Sequence, residues 1–581
     1  MTDRPAAPAA AGPPAREEVL EVARKYALQN AVQHGGSCQV GPVMSRLLAE
    51  RSDWRPHART LSGAVKEAVD WVNGLGADAQ LAALDAIDPA LAVREVKERA
   101  HGLPDLPGAE GGVVMRFAPG PSGPLHIGHS RAAILNDEYV RRYGGRYILR
   151  FEDTDPARIA PEAYAMIRED MDWLGCRITD VYEQTDRFPD YYAHASRLLA
   201  MGAGYVCTCP QETWRGLKEA SRPCPHRGEP PEAQLARWEG MLGGAYPQEG
   251  AVMVIKTELA DPNPALRDWV ALRITDEPHP KTGTKYRVYP LYNYSVAIDD
   301  HLMGMTHVLR GKDHLNNTMR QKWIYRYMGW SEPHFHHYGN VSIEDAVLKK
   351  SVIREAVMRG EYTGWDDPRV GTLRALARRG LAAEAIRRYW VEASIRPIEI
   401  GFSWKTLFAH DRDIHEPTAP RLFFVADPVV VTLEAPHALE ARAPVHPDRP
   451  DMGVRELRLP PSAREGTYAA LLPAADMEAV EAAGRFRLKD LGNFELVSSH
   501  AALHIGNDLA ILKEGVPIVH WVPPGGPGCV VHHPDGHADV GVAEGAALER
   551  HGQFVQFERY GYVRIEVDRE RRSVEGFFAY R

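Results

Sequence analysis

The sequence predicts a multidomain α/β protein: a parallel, doubly wound sheet at the centre, a helical domain before it and antiparallel β-barrels after it. Three observations predict this. A strand-like run, a helical run and a second strand-like run follow one another within about 40 residues at 113–151, which is a βαβ unit. Residues 17–102 show helical periodicity. From about residue 416, short β-branched runs alternate with Pro/Gly turns, the pattern of barrels or sandwiches. At ~150 residues per domain, 581 residues correspond to about four domains, which excludes a lone small binding module.

Residues 1–16 are a Pro/Ala-rich tail, expected to be disordered. Residues 17–102 form the helical domain. Val19, Val22, Ala23, Tyr26 and Ala27 share a helical face that Gly35–Gly36 terminates, and further helices are expected at 60–73 and 90–100. The stretch LPDLPGAEGG at 103–112 reads as a linker. Val113–Ala118 is then a strand, and Ala132, Leu135, Tyr139 and Tyr143 mark a helix stopped by Gly144–Gly145. Arg146–Phe151 is the second strand. Helices are expected at 161–174 and 187–201. Residues 206–285, irregular and rich in Pro, Cys and charge, read as an insertion, so that 110–205 and 286–350 belong to one sheet domain. Residues 351–415 look helical and connective. In 416–581 the strand-like runs are Phe423–Val425, Val429–Leu433, Ile518–Val522, Val555–Phe557 and Val563–Val567.

Composition narrows the function. A net charge of −9 excludes a generally basic nucleic-acid coat, so any such surface is local; residues 301–380 carry 13 basic against 8 acidic residues. Six cysteines are too few for a disulfide scaffold and indicate a reducing compartment. No run of 18 apolar residues and no apolar signal core occurs, so no membrane association and a cytoplasmic location are expected.

Two motifs carry chemistry. Where the first strand meets its helix stands Pro-Leu-His126-Ile-Gly128-His129-Ser. A helix N-terminus offers free N–H groups and a positive dipole end to an anion, Gly128 permits close approach, and the two imidazoles add donors. The second is Val347-Leu-Lys349-Lys350-Ser351, in a chain with 14 lysines against 55 arginines. Flexible ammonium groups beside a hydroxyl suit a departing pyrophosphate.

In this order and layout, the two motifs resemble the HIGH and KMSKS signatures of class I aminoacyl-tRNA synthetases. RFAPGPSGPLHIGHSRAA (116–133), RFEDTDP (150–156), IDDHLMGMTHVLRGKDH (298–314) and GWDDPRVGTLRALARRG (364–380) are similar to the glutamyl/glutaminyl subclass. KYALQNAVQHGG (25–36) resembles the archaeal glutamyl branch, and the β-rich stretches APRLFFV (419–425), RLKDLGNFE (487–495), IVHWVP (518–523) and VQFERYGYVRIE (555–566) resemble the barrel domains of archaeal-type glutamyl and glutaminyl enzymes. One departure stands in the second motif: only Lys350 and Ser351 match the last two signature positions, with Val347 where a lysine is common.

The resemblance implies a class I Rossmann-like catalytic domain, an inserted domain gripping the tRNA acceptor end, and C-terminal barrels reading the anticodon. It implies ligation of L-glutamate to the 3′ end of tRNA(Glu) through a glutamyl-adenylate, with ATP as substrate and Mg2+ accompanying it. His126, His129 and Lys350 would stabilise charge on the reacting phosphate. Pro119, Ser122, Gly123, Gly128, Lys349 and Ser351 would complete the ATP site. Arg116, Ala118, Ser122, Glu152, Tyr292 and Arg310 would line the amino-acid pocket, Glu152 holding the amino group. Arg310 discriminates: glutaminyl enzymes usually carry a small neutral residue there, and a buried arginine left without a carboxylate disfavours the amide. Its alternative role is a structural ion pair with Asp299 or Asp300. The other readings are an enzyme that also charges tRNA(Gln), a glutaminyl enzyme, a non-catalytic tRNA-binding paralogue and a nucleotidyltransferase sharing only the first motif. For anticodon contacts, Arg485, Arg487, Phe494, Trp521, Arg559 and Tyr560 are available among many.

Cys207, Cys209, Cys224 and His226 supply four S/N ligands within 20 residues, a set that suits a structural Zn2+. Cys529 with His532, His533 and His537 is superficially similar, but PGGPG before it and PDG after it point to a hairpin instead.

Overall fold

The computed structural model describes residues 14–88, 91 and 102–581; the helix expected at 90–100 and nearly all of the expected tail lie outside them. The chain divides into two compact units, 1–100 and 101–581. In the first, α1 (Arg16–Gln33), α2 (Val40–Glu50), α3 (Ala58–Asn73) and α4 (Ala77–Ile87) share one core. α3 buries Leu61, Ala64, Val65, Ala68, Val69 and Val72, a stripe at helical spacing, against Val19, Ala23, Ala27 and Ala31 of α1.

The second unit begins with the expected βαβ unit: β1 (Val113–Phe117), α5 (Ile127–Tyr143) and β2 (Gly145–Phe151), with β1 and β2 parallel. The glycine pair between α5 and β2 is required sterically. Gly145 has φ +121°, and a Cβ there would lie 1.9 Å from the Val113 carbonyl oxygen. After α6 (Ala163–Trp173), β3 (Asp180–Glu183) adds in parallel beside β2. The chain then runs through α7 (Phe188–Ala200) into a separate antiparallel sheet of β4 (Gly204–Cys207), β5 (Val252–Ile255), β6 (Trp269–Ile274) and β7 (Val288–Pro290), in that order. Helices α8 (Gln211–Glu219) and α9 (Pro231–Leu242) lie between β4 and β5. This sheet extends past 206–285 on both sides, because its hydrophobic core also takes in α7 and the helices that follow it.

The parallel sheet resumes after α10 (Tyr292–Leu302) with β8 (His307–Gly311), α11 (Leu315–Met328) and β9 (His334–Tyr338). Thr306 ties β8 to β1: its N–H donates to the Val114 carbonyl at 3.0 Å and its hydroxyl accepts from Val114 N–H at 2.9 Å. The layer order is therefore β9, β8, β1, β2, β3, and strand order reverses between β1 and β8. In such sheets ligands bind at that reversal, outside the carboxyl ends of the strands.

A helical region follows: α12 (Lys350–Met358), α13 (Leu373–Arg378), α14 (Ala383–Ala393) and α15 (Trp404–His415), with the short parallel pair β10 (Val341–Ser342) and β11 (Ile400–Gly401). The C-terminal strands are β12 (Arg421–Leu422), β13 (Phe424–Ala426), β14 (Pro428–Glu434), β15 (Glu440–Pro444), β16 (Val454–Arg458), β17 (Thr467–Pro473), β18 (Arg485–Leu488), β19 (Gly492–Ser498), β20 (Ala501–Gly506), β21 (Ile518–Val519), β22 (Gly528–His532), β23 (Ala538–Ala543), β24 (Phe554–Phe557), β25 (Gly561–Asp568) and β26 (Ser573–Tyr580).

β15 and β16 form a separate antiparallel pair; the other strands make two closed barrels. The seven-stranded sheet runs β12-β24-β25-β26-β22-β23-β13, and its two edge strands are one stretch of chain separated only by Phe423. The six-stranded sheet runs β17-β14-β20-β19-β18-β21, and Leu471 of β17 exchanges hydrogen bonds of 2.9 and 3.1 Å with Val522, just beyond β21. Closure removes the exposed edges of both sheets. Most pairings are antiparallel, although β12–β24, β14–β20, β18–β21 and β22–β26 are parallel. Phe494 and Trp521 are fully buried in the six-stranded barrel and so cannot stack on a base. Among the described residues no helix is long and apolar enough to cross a membrane.

Candidate active site

Two adjoining cavities open at the strand-order reversal. The first, about 560 Å³, is lined by Arg116, Ala118, His126, Gly128, His129, Glu152, Tyr292 and Arg310, together with Tyr338 and Asn340. The second, about 630 Å³, is lined by Pro119, Ser122, His126, His129, Glu152, Tyr292, Lys349 and Lys350. The two histidines, Glu152 and Tyr292 stand at their common wall. Most expected residues thus converge, from the ends of β1, β2 and β8 and the start of α5. Four differ from expectation: Gly128, expected with ATP, lines only the first cavity. Ser122 lines only the second cavity; Gly123 and Ser351 line neither. Gly123 is buried beneath Trp365, which a Cβ would approach to 3.2 Å, and Ser351 is exposed on the first turn of α12.

The His-x-Gly-His turn caps its own helix. His126 Nδ1 accepts the Gly128 N–H at 3.1 Å and His129 Nδ1 accepts the His126 N–H at 3.3 Å, with the rings stacked 3.6 Å apart. A lone pair engaged on each Nδ1 leaves the proton of the neutral ring on Nε2. Burial, then the nearby Lys350 ammonium, pushes the His126 imidazole down to about 4, and burial, with His126, holds His129 well below the usual range. At neutral pH they are N–H donors, and Lys350 is the cation.

Lys350 Nζ donates to the Gly123 carbonyl at 2.9 Å, and Arg354 donates to the Ser122 carbonyl at 2.7 Å. Burial brings the Lys350 ammonium down to about 8, against the opposing pull of Asp170. The 364–380 segment holds the two motifs together. Gly371 N–H donates to the Val347 carbonyl at 2.9 Å, while the Gly371 carbonyl accepts from Ile127 N–H at 3.1 Å. Asp170, which the motifs did not single out, accepts the Leu125 N–H at 2.7 Å and so steadies the same turn.

The amino-acid side is a buried ion network plus two guanidiniums without a carboxylate: Arg131, whose arms donate to the Gly339 and Ser394 carbonyls at 2.8 Å, and Arg310. Arg116 is bidentate to Asp300 at 3.1 Å on both arms. Arg150, fully buried, donates to Asp300 at 2.7 Å and Glu152 at 3.3 Å and faces Asp299 at 3.8 Å. Arg187 donates to Asp299 at 2.6 Å. Against the effect of burial, Arg116 and Arg150 bring the Asp300 carboxyl down to about 2. Arg310 is different. Only 5% exposed, it donates to Thr318 Oγ1 at 2.6 Å, Gln321 Oε1 at 2.7 Å and Tyr292 Oη at 3.3 Å. It contacts neither Asp299 nor Asp300, its Nε has no partner, and burial lowers its pKa. Thr318 and Gln321 were not foreseen; their signal is a polar pair three apart on the buried face of α11.

Away from this site, Cys207, Cys209, Cys224 and His226 form a compact set. Sγ–Sγ distances are 3.4 and 3.8 Å, and His226 Nδ1 lies 3.4 and 3.6 Å from Cys224 and Cys209. His226 Nε2 is 3.1 Å from Thr208 Oγ1, an outer partner that fixes the ring.

Residues 112–414 match the model of the class I tRNA synthetase (E and Q) catalytic domain, and 419–505 match that of the corresponding anti-codon binding domain. Similar curated proteins are named glutamate--tRNA ligase. The one from Thermoplasma volcanium is 44% identical over 94% of this chain and 97% of its own length. Those from Pyrococcus abyssi and Methanopyrus kandleri are each 45% identical, over 94% and 95% of this chain respectively and 97% of their own. A sheet that reverses order where two imidazoles meet a buried unpaired guanidinium, and sequence matches of this extent, lead to one conclusion: the chain belongs to the class I tRNA synthetases of the E and Q family.

Proposed function

We propose that this chain ligates L-glutamate to the 3′ end of tRNA(Glu), consuming ATP and releasing AMP and pyrophosphate. The observation that carries the amino-acid choice is Arg310, a buried guanidinium with no carboxylate partner at the end of β8. A glutamate side chain gives it one; glutamine leaves it unpaired. Glu152, the one carboxylate that lines both cavities, receives the α-ammonium. ATP occupies the second cavity as its Mg2+ complex, the metal screening phosphate charge. The Nε2–H groups of His126 and His129 donate to the α-phosphate as the glutamate carboxylate attacks it, and Lys350 follows the charge onto pyrophosphate. A terminal ribose hydroxyl of the tRNA then takes the glutamyl group.

The Cys207, Cys209, Cys224 and His226 set is proposed to hold a structural Zn2+. Donors about 2.0–2.3 Å from one tetrahedral ion stand about 3.3–3.8 Å apart, which covers the separations given above. The six cysteines are all free, in keeping with a cytoplasmic enzyme. The test is aminoacylation with purified tRNA(Glu) and tRNA(Gln), offering glutamate and glutamine separately. Glutamate on tRNA(Glu) is expected. Charging with glutamine alone overturns the reading of Arg310, and glutamate on both tRNAs would identify a broader enzyme.

A further inference from the structure

The β22–β23 hairpin reverses at 533–537, and the reversal assembles side chains that the ligase reaction does not use. Cys529 is buried in the barrel and His532 stacks on Phe577, so the four residues noted in the sequence do not meet. A different set does. The imidazoles of His533 and His537 stack with centroids 3.8 Å apart. Their Nε2 atoms lie 3.1 and 3.9 Å from one carboxylate oxygen, Asp539 Oδ2. We propose that His533, His537 and Asp539 form a second metal site, for a divalent cation of the zinc class.

Geometry and chemistry both support one ion. Cis donors about 2.0–2.1 Å from a tetrahedral Zn2+ stand about 3.3–3.4 Å apart, between the two separations observed. The set is N2O, borderline in softness, which favours Zn2+ and its neighbours over Mg2+ or Ca2+. His537 Nδ1 lies 2.6 Å from Asp535 Oδ1. A carboxylate on the far nitrogen is the outer partner that orients a metal-bound imidazole and raises its basicity. Tyr560 Oη lies 2.7 Å from His533 Nε2 and 2.6 Å from Asp539 Oδ2, offering a fourth oxygen. Hydrogen bonding alone accounts for the Tyr560, Asp539 and His533 contacts. It does not account for His537, half exposed to solvent yet turned by Asp535 toward the same oxygen.

The ion would act as a clamp. Pro534 in the same turn lines a cavity of about 670 Å³ with Arg369, and a Cβ at Gly536 would lie 3.4 Å from Arg369 Cδ. Arg369 belongs to the 364–380 segment that bonds both catalytic motifs. Fixing the turn therefore fixes a surface against which that segment rests.

The test is metal uptake by the full-length protein, stripped with EDTA and reconstituted with Zn2+ or Co2+. His537→Ala, at a half-exposed position, is expected to bind one equivalent fewer than the unaltered chain. With Co2+, the equivalent it loses lacks thiolate-to-metal charge-transfer absorption; any such absorption from the cysteine set persists in His537→Ala and disappears in Cys224→Ser. Equal uptake by the unaltered chain and His537→Ala overturns the proposal, whatever the cysteine set binds.

Discussion

Replacing Arg310 by methionine should damage glutamate use severely while leaving the ligand-free protein no less stable. Methionine keeps much of the arginine stem and removes only the guanidinium. In the ligand-free state that group is a desolvated cation whose hydrogen bonds all go to neutral oxygens, on Thr318, Gln321 and Tyr292. Its loss removes an uncompensated buried charge, a change of about 1–2 kcal/mol in favour of the fold, offset by about 1 kcal/mol for the Gln321 Oε1 left unpaired, since Thr318 Oγ1 keeps His337 Nε2 at 2.8 Å and Tyr292 Oη keeps His314 Nδ1 at 3.1 Å. With glutamate bound, the same deletion removes one member of a desolvated ion pair. Such truncations cost about 2–5 kcal/mol, and taking about 3–4 gives a loss of roughly 10²- to 10³-fold in kcat/KM.

The assay is aminoacylation over a glutamate titration with tRNA and ATP saturating, paired with urea unfolding of the ligand-free variant. The loss should fall mainly on KM, because the side-chain carboxylate is bound alike before and during reaction at the distant α-carboxylate. Arg310→Lys keeps charge but not the planar fork, so an intermediate loss of about 10- to 100-fold is expected. A kcat/KM within threefold of the parent refutes the assignment. So does a stability loss above about 2 kcal/mol in Arg310→Met, which would make the guanidinium a structural strut.

Five further outcomes follow from the same geometry. His126→Ala should lower kcat about 10²-fold, the usual effect of losing one preorganised donor to a developing charge. For Lys350 the active form is the ammonium and burial has depressed its pKa to about 8, so kcat/KM for ATP should fall as pH rises through 8; Lys350→Arg should move that limb up by several units. No acid limb near pH 6.5 should come from His126, which stays neutral down to about 4. Cys224→Ser should cost one zinc equivalent by metal analysis and raise KM for tRNA more than for ATP. Asp300→Asn strips the carboxylate from both Arg116 and Arg150, and a loss of about 3–5 kcal/mol in urea unfolding is expected.

What could be read from the sequence was what is local. β1, α5 and β2 are short-range: an apolar run, a 3.6-residue periodicity and a glycine pair that only glycine can satisfy. The His-x-Gly-His turn is likewise local, because cap, donor and close-approach residue lie within four positions. What escaped is set by pairing over long separations. Barrel closure joins Leu471 to Val522 and brings Leu422 beside Phe557, and no strand pattern states such partners. The insertion's sheet reaches back to Gly204 and on to Pro290 because its core is shared with flanking helices. The ionisation of the two histidines also escaped, since a motif shows which groups are present but not how far they are desolvated.

The pairing of the two pocket arginines is likewise set by the fold. Arg116 and Asp300 are 184 residues apart, and only the fold shows that one guanidinium is already neutralised and the other is not. Counting charge completes the specificity argument. Arg116, Arg150 and Arg187 oppose Asp299, Asp300 and Glu152 through direct contacts, so that buried network sums to zero. Arg310 adds one positive charge with no partner. Glutamate carries one ammonium and two carboxylates, a net −1, and its binding offsets the Arg310 charge. Glutamine carries no net charge and leaves the cation buried. In a low-dielectric pocket that residual charge is worth several kcal/mol, more than any difference in shape between two nearly isosteric side chains. On the proposed reading, selection rests on the charge of Arg310, which Thr318 and Gln321 hold in place for the side-chain carboxylate.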